Sequence, residues 1–183
     1  MSSSEIAGRD AGPTRRSLAL VAALGVAALA GGCFRPLYAE STASTVGGSV
    51  RTALRSIEFP EIKGLMGHYL RNELVFEFDG GNEPDAPKTL KFDASLAESV
   101  EVVTVDYANG RADSAILVAT ATWKVTRNGT GEIVSSGTNS VREPYERSSQ
   151  RFATVRAARD AQIRAAKHLA SLIRGQIAAD LTS

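Results

Sequence analysis

Alternating apolar and polar positions in the middle of the chain predict a β-sheet. Between residues 90 and 96 every second residue is apolar, which is the pattern of a strand with one solvent-exposed face. The strand continues over 100–107, through a bulge or bend at 97–99. Asn109-Gly110 predicts a hairpin turn because both residues tolerate a positive φ. The return strand, 112–127, again carries an apolar residue at every second position over most of its length.

The segments on either side of this hairpin predict two more strands. Residues 55–62 have a short period of two that is interrupted at Pro60, and they predict a first strand that stops there. A turn at 128–131 leads into residues 132–142, which are polar and rich in Ser and Thr. We expect this last strand to lie at an edge of the sheet or to have its outer face covered.

Two segments have helical periodicity. Residues 65–78 place apolar side chains at near-helical spacing and predict a short amphipathic helix, although residues 75–78 also fit an extended segment. From Phe152 a period of 3.6 holds for about 30 residues. The apolar stripe of this second helix comprises Phe152, Val155, Ile163, Leu169, Ile173, Ile177 and Leu181.

The order of these elements is β-α-β-β-β-α and predicts an α+β fold. We expect an antiparallel or mixed four-stranded sheet with the two helices packed on one face. The register that turns residues 117–125 toward the helices makes Trp123 a core residue. The opposite face of the same strand then carries Ile116, Val118, Thr120, Thr122, Lys124 and Thr126.

The first 32 residues have the pattern of an export signal. Arg15-Arg16 precede an uncharged stretch, 17–32, and Cys33 follows it directly. A cysteine at the cleavage point is the lipid acceptor of a bacterial lipoprotein, and its acyl chains anchor the protein to a membrane. The competing interpretation is a membrane span, but the apolar run at 18–30 has 13 residues, whereas a span needs roughly 20.

The lipoprotein interpretation divides the chain into three parts. Residues 1–32 are the signal peptide, 33–50 are the lipidated terminus and a flexible tether, and 51–183 form a single domain. Ala30 departs from the usual signal, so a free cysteine after an ordinary export signal stays open as an alternative. The paired arginines also fit a twin-arginine signal, which implies export after folding.

Charge and motifs give no indication of nucleic-acid binding or catalysis. Without the signal the chain has equal numbers of acidic and basic residues, although basic residues predominate between Arg142 and Arg174. His68 and His168 are far apart, and neither has a Cys, Asp or Glu at the spacing of a metal site. Neither a Gly-x-Ser-x-Gly motif nor a glycine-rich phosphate loop is present. We therefore expect a protein that is not an enzyme and has no cofactor.

A binding surface remains as the candidate for function. The strand face that bears Ile116, Val118 and Lys124 mixes β-branched and basic side chains. Such a mixture suits an amphiphile with acidic headgroups, because Lys and Arg pair with phosphate while aliphatic side chains contact acyl chains. A solvated strand face is the alternative interpretation.

Several segments together carry a family resemblance. Residues 32–38 read Gly-Cys-Phe-Arg-Pro-Leu-Tyr, and residues 119–125 read Ala-Thr-Ala-Thr-Trp-Lys-Val before Gly129-x-Gly131. Pro144-Tyr145 leads into a final helix rich in Ala and Arg. The chain resembles the LptE family of lipopolysaccharide-assembly lipoproteins in its alphaproteobacterial form, with one departure: Phe34 follows Cys33 directly.

The resemblance implies a non-enzymatic role at the outer membrane. Members of the family lie inside the lumen of a β-barrel partner, LptD, which they plug and help to assemble. They also bind lipopolysaccharide and assist its delivery to the outer leaflet. For this chain the expectation is a one-to-one complex with an LptD-like barrel, on the periplasmic face, with a covalent lipid on Cys33 as its anchor.

The resemblance also suggests where lipopolysaccharide is bound. The family's basic contact residues lie near the central hairpin turn and near the start of the last helix. The candidate residues here are Arg111, Lys124, Arg142, Arg151 and Arg156. The second functional hypothesis is an auxiliary lipoprotein of an ABC-type envelope lipid transporter, which can have a similar small α+β shape.

Overall fold

The structure, a computed structural model, describes residues 42–80, 87–106 and 111–182. Its elements are α1 (Val50–Arg55), β1 (Ile57–Glu58), α2 (Leu65–Asp79), β2 (Leu90–Asp106), β3 (Arg111–Arg127), β4 (Ile133–Glu146) and α3 (Arg151–Asp180). The expected α+β class and four-stranded sheet are confirmed, and α1 is an addition to the predicted order.

The sheet is mixed, and its strands are ordered β1-β2-β3-β4. β2, β3 and β4 form an antiparallel meander, whereas β1 pairs in parallel with the start of β2. Pairing of Asp106 with Arg111 confirms the hairpin, although the turn residues Asn109-Gly110 lie outside the described part. The predicted bend at 97–99 is wrong, because the register of β2 shifts between Val102 and Val105 instead.

Both long helices cover the same face of the sheet. The odd-numbered positions of β3 from Ala115 to Val125 are at most 4% exposed, as the alternating pattern predicts. The even-numbered positions face the other way, and among the described residues no element packs over them. The strand is therefore half core and half surface along its whole described length.

Aromatic side chains join the elements within this core. Phe92 of β2 stacks on Trp123 of β3 with ring centroids 6.0 Å apart. Phe59, just after β1, contacts Phe92 at 5.3 Å and Phe78 of α2 at 5.0 Å. The Trp123 indole nitrogen donates a hydrogen bond of 2.7 Å to Asn139 of β4, so its one polar atom has a partner. The core position expected for Trp123 is confirmed.

The two long helices differ twofold in length. α2 has 15 residues and α3 has 30, which correspond to about 22 Å and about 45 Å. α2 ends at Gly80, whose left-handed backbone (φ 70°) lets its N–H bond to the carbonyl of Phe76. Contacts of Tyr69 with Arg159 and of Glu77 with Arg174 show that α2 runs beside α3 over this stretch and in the same direction.

The length difference corrects the predicted apolar stripe of α3. Ile173 and Ile177 are fully buried, but Phe152 and Val155 are 87% and 56% exposed. In the described part of the chain, α2 does not extend far enough to cover these first turns. Helical periodicity identifies the side of a helix that is apolar, but it does not show how far the partner element extends.

The segment expected to be a flexible tether is packed in its described part. Thr42 accepts a hydrogen bond from the backbone N–H of Val50 at 3.0 Å, and Thr45 donates one to the carbonyl of Leu181 at 2.8 Å. Val46 packs against the core, and Val50 is fully buried. The expected domain start at residue 51 therefore falls inside α1.

The first predicted strand is also shorter than expected. Only Ile57 and Glu58 pair with β2, because Arg55 ends α1 and Ser56 makes the turn between them. Ser56 is buried, and its hydroxyl donates to the carbonyl of Ala53 at 2.8 Å. A helix that ends directly before the strand leaves no room for a longer one.

Candidate functional site

The two ends of the domain have different chemistry. We call the end where β2 finishes and α3 begins the tip, and the end where α3 finishes the base. β4 runs from the base to the tip, since Ser135 bonds to Asp180 at 2.5 Å while Glu146 pairs with Ser114. The tip and the base are therefore separated by roughly the 45 Å length of α3.

An apolar cleft of about 370 Å³ opens at the tip, between the β2–β3 hairpin and α3. It is lined by Glu98, Ser99, Val100, Leu117, Tyr145, Val155, Ala158, Arg159 and Gln162. Val100, Val102 and Val103 of β2 remain 49% to 58% exposed beside it. α2 contributes no residue to this lining, although its Tyr69 contacts Arg159. Its exposed aliphatic surface is of the kind that marks a binding site.

The rim of the tip cleft is polar and carries cations. Arg159 donates a hydrogen bond of 3.0 Å to the hydroxyl of Tyr69, and Gln162 donates one of 2.9 Å to Glu98. Arg151 and Arg156 are exposed on the same helix, toward its start. An aliphatic floor beside guanidinium groups can hold an acyl chain next to an anionic group.

Polar side chains link α3 to β4 between tip and base. Glu143 is buried, and its carboxylate accepts from Arg164 Nε at 3.0 Å and contacts His168 Nδ1 at 2.6 Å. Arg164 also donates to the carbonyl of Pro144 at 2.8 Å and pairs with Asp160. No pattern in the sequence indicates that Glu143 is buried, because a lone acid in a polar strand is usually a surface residue.

The uncovered face of the sheet is dominated by hydroxyl groups. Thr120 bonds to Ser140 at 3.0 Å, and Thr122 bonds to Thr138 at 3.3 Å across β3 and β4. Ile116 and Val118 add aliphatic side chains toward the tip. The face is polar without a concentration of charge.

Two of the sequence-predicted site residues lie on this uncovered face. Lys124 is exposed near the base half of β3, and Arg142 is exposed on β4. Arg142 makes a two-point contact with Glu101 of β2, with one nitrogen–oxygen distance of 3.2 Å. This hydrogen bond lowers the pKa of the Glu101 carboxyl below its ordinary value and raises the pKa of Arg142.

The other predicted residues lie at the tip or outside the described part. Arg151 and Arg156 stand on α3 close to the cleft. Arg111 pairs through its backbone with Asp106 at the end of the hairpin, and its side chain lies outside the description. Cys33 also lies outside the described residues. The five predicted basic residues thus divide between the tip and the opposite face of the sheet.

Neither histidine belongs to a metal-site geometry. His68 is on the surface of α2 and bonds to Asn72 at 3.1 Å, and His168 contacts Glu143. In the ranges that the structure describes, three His, Cys, Asp or Glu side chains do not come together anywhere in a geometry that could hold a metal ion. Within the same ranges no helix has the length and apolar character to cross a membrane.

The fold is similar to that of solved bacterial lipoproteins. A protein assigned as a lipoprotein in Caulobacter crescentus CB15 matches with a TM-score of 0.59 and 25% identity, over 73% of this chain and 96% of that chain. A minor lipoprotein from Acinetobacter baumannii gives 0.48 and 16%, over 68% and 91% of the two chains. Uncharacterized lipoprotein B from Nitrosomonas europaea gives 0.48 and 13%, over 67% and 80%. No family model and no curated protein matches the sequence.

Proposed function

We propose that this chain is an outer-membrane lipoprotein of the LptE kind, which plugs an LptD-like barrel and assists lipopolysaccharide delivery. The observation that carries the proposal is the agreement between a lipidation cysteine in the sequence and the fold shared with the Caulobacter lipoprotein. That similarity extends over almost the whole of the Caulobacter chain. The protein acts by binding and not by catalysis.

The uncovered sheet face supports a position inside a barrel. The lumen of an outer-membrane barrel is polar, so a surface that contacts its wall must offer hydrogen bonds without burying unpaired charge. The hydroxyl pairs Thr120–Ser140 and Thr122–Thr138 meet this requirement. A hydroxyl group can donate or accept, and it therefore adapts to a wall of mixed polarity.

The tip cleft supports the contact with lipopolysaccharide. Val100, Leu117 and Val155 supply an aliphatic lining, and Arg156 and Arg159 lie at or beside the rim. Lipopolysaccharide combines acyl chains with phosphate groups, and these two surfaces suit its two parts. The proposal therefore assigns the lipid contact to the tip cleft, and Lys124 and Arg142 on the strand face are the alternative.

A pull-down of the tagged, lipidated protein from its native envelope in mild detergent tests whether the protein binds an outer-membrane barrel. We expect a stoichiometric outer-membrane barrel among the proteins identified by mass spectrometry. Recovery of inner-membrane ATPase subunits instead would support the second hypothesis, an auxiliary lipoprotein of an ABC-type transporter. Recovery of neither would contradict both.

Crosslinking from chosen positions sharpens this test. A photoreactive residue at Thr122, on the uncovered face, should crosslink to the barrel in the envelope. The matched position is Lys167, which is exposed on α3 on the other side of the domain. A barrel adduct from Lys167 and none from Thr122 would show that the sheet face is not the surface in contact.

Charge reversal distinguishes the two groups of predicted lipid-binding residues. We expect R111E/R156E at the tip to weaken lipopolysaccharide binding by about tenfold or more, because each lost charge-assisted contact is worth about 1.5–3 kcal/mol. K124E/R142E makes the same change of charge on the sheet face and should leave binding within about twofold of the original. The reverse result would assign the lipid to the sheet face.

A further inference from the structure

Glu98 interrupts an apolar row of β2 side chains that faces the helices. Between residues 90 and 102 this row comprises Leu90, Phe92, Ala94, Leu96, Glu98, Val100 and Val102. Glu98 is the only charged residue in the row, and it pairs with the buried Ala119 of β3 on the covered side of the sheet. A charged residue in an apolar row departs from the pattern that builds a core, and such departures are expected at functional positions.

The carboxylate of Glu98 lines the tip cleft together with a guanidinium group, that of Arg159 on α3. The carboxylate accepts from the neutral amide of Gln162 at 2.9 Å, and the guanidinium donates to the hydroxyl of Tyr69 at 3.0 Å. Among the described side chains, none forms an ion pair with either group. The cleft therefore presents one anion and one cation whose charges are not neutralised by their hydrogen-bond partners.

The same cleft offers an aliphatic surface beside these two charges. Leu117 is buried in its lining, whereas Val100 and Val155 are 53% and 56% exposed there. An acyl chain that covers these two valines removes their apolar surface from water, which is favourable. A headgroup attached to that chain then lies within reach of both Arg159 and Glu98.

The two charges restrict the chemistry of the headgroup. A phosphate group bonds well to the guanidinium of Arg159, but the carboxylate of Glu98 in the same cleft repels it. A headgroup that also carries a primary ammonium group satisfies both residues, because the ammonium attracts the carboxylate and donates hydrogen bonds to it. The cleft is therefore complementary to a phosphate and an amine that lie next to each other.

We propose that the tip cleft selects a lipid whose headgroup carries both a phosphate and a primary amine. Arg159 bonds to the phosphate, Glu98 bonds to the amine, and the exposed valines contact the acyl chains. The inference rests on the lipid-binding role of the tip cleft in the proposed function and names the headgroup class that this cleft takes. Glu98 is the residue that determines the specificity for the amine.

Calorimetric titration with short-chain lipids tests the proposal. It uses the mature chain, residues 33–183, carrying Cys33→Ser so that no acyl anchor competes for the cleft. The probes are monomeric dihexanoyl phosphatidylethanolamine and dihexanoyl phosphatidylcholine, which differ only in that the choline nitrogen has no N–H to donate. We expect the ethanolamine lipid to bind about threefold more tightly, the range of an exposed ion pair. Equal affinities, or no binding of either lipid, would overturn the proposal.

Glu98→Gln tests whether this residue is the source of the preference. The amide that replaces the carboxylate can still accept the hydrogen bond of Gln162, so the variant removes the charge and keeps the contact between β2 and α3. We expect the preference for the ethanolamine lipid to disappear. Glu58→Gln makes the same change of charge at an exposed position at the base and should keep the preference. Loss of the preference in both variants, or in neither, would overturn the assignment.

Arg159→Gln tests the phosphate contact separately. Both lipids carry the phosphate, so we expect both to bind about tenfold more weakly, with the ratio of their affinities unchanged. A change in that ratio, with no common loss of affinity, would contradict the role of Arg159.

Two further measurements separate the possible failures. Free phosphoethanolamine has no acyl chains to cover the valines and should bind at least about tenfold more weakly than the ethanolamine lipid. Equal affinity would make the ligand a small soluble molecule and overturn the proposal. Lipopolysaccharide binding and the barrel pull-down are measured independently of these probes. Selection of the amine without lipopolysaccharide binding contradicts the proposed function alone, and lipopolysaccharide binding at the tip without selection of the amine contradicts this inference alone.

Discussion

Glu143 shows how a single charged residue in this protein depends on its neighbours. Its side chain is 7% exposed, and the cost of burying a carboxylate is offset by Arg164 and His168. The side chains of Arg164 and His168 are 39% and 64% exposed, so Glu143 is the one buried residue of this three-residue polar cluster. It joins the middle of α3 to β4.

Replacing Glu143 by Gln should lower the free energy of unfolding by about 1–2 kcal/mol. The amide has one acceptor oxygen where the carboxylate has two, so it cannot bond to Arg164 and His168 as the carboxylate does, and the partial exposure of those partners limits the loss. Thermal unfolding should show a melting temperature lower by roughly 2–4 °C per kcal/mol. Glu146→Gln, on the same strand and exposed, is the control and should change stability by less than about 0.5 kcal/mol. Equal melting temperatures of the two variants would show that the cluster around Glu143 contributes nothing to stability.

The helices of this protein are positioned by close contacts that propensity alone does not describe. A Cβ added at Gly67, in the first turn of α2, would lie 2.5 Å from the carbonyl oxygen of Ile62. A Cβ added at Gly175, in the last third of α3, would meet nothing within 4 Å. The two glycines stand in equivalent local structure but in different surroundings.

Gly67→Ala and Gly175→Ala should therefore have opposite effects on stability. Gly175→Ala should raise the free energy of unfolding by about 0.5–1 kcal/mol, the usual gain for alanine in a helix. Gly67→Ala should lower it by about 1–3 kcal/mol, because backbone must move to admit the methyl group. Urea unfolding of both variants measures the difference. Stabilisation by both substitutions would show that the backbone at the start of α2 moves to admit the methyl group at little cost in free energy.

At the scale of the whole described domain, the two ends of α3 are supported differently. The base half of α3 packs against α2 and the sheet, where Leu169, Ile173 and Ile177 are fully buried. The first turns of α3 extend beyond α2, and Phe152 and the β2 valines remain exposed at this end. Such an arrangement keeps the tip available for binding while the base provides the stability.

Alanine substitutions at the two ends of the apolar stripe of α3 measure how much each end contributes to stability. Ile173→Ala should lower the free energy of unfolding by about 2–5 kcal/mol, since it empties a fully buried site. Phe152→Ala removes a larger side chain but should cost less than about 0.5 kcal/mol, because that ring is exposed. Chemical denaturation of the two variants provides the comparison. A large loss from Phe152→Ala would mean that the tip half is packed in solution.

Much of the fold followed from local pattern. Alternation in β2 and β3 and the 3.6 period of α3 placed these elements within a few residues of their observed bounds. α1 was missed because six residues are too few for a periodic pattern. The lipid-binding candidates were harder to place, because the sequence does not show which surface of the domain an exposed basic residue such as Lys124 or Arg156 belongs to.

The sequence by itself determined the class of fold and the buried faces of β2 and β3, and the lipidation of Cys33 stays a prediction. These features depend on neighbours in the chain, and a periodic pattern records them directly. Only the tertiary structure decided how far α2 extends along α3 and that Glu143 is buried against Arg164 and His168. Both results come from packing between residues far apart in sequence, and such contacts produce no periodic pattern in any one segment of the chain.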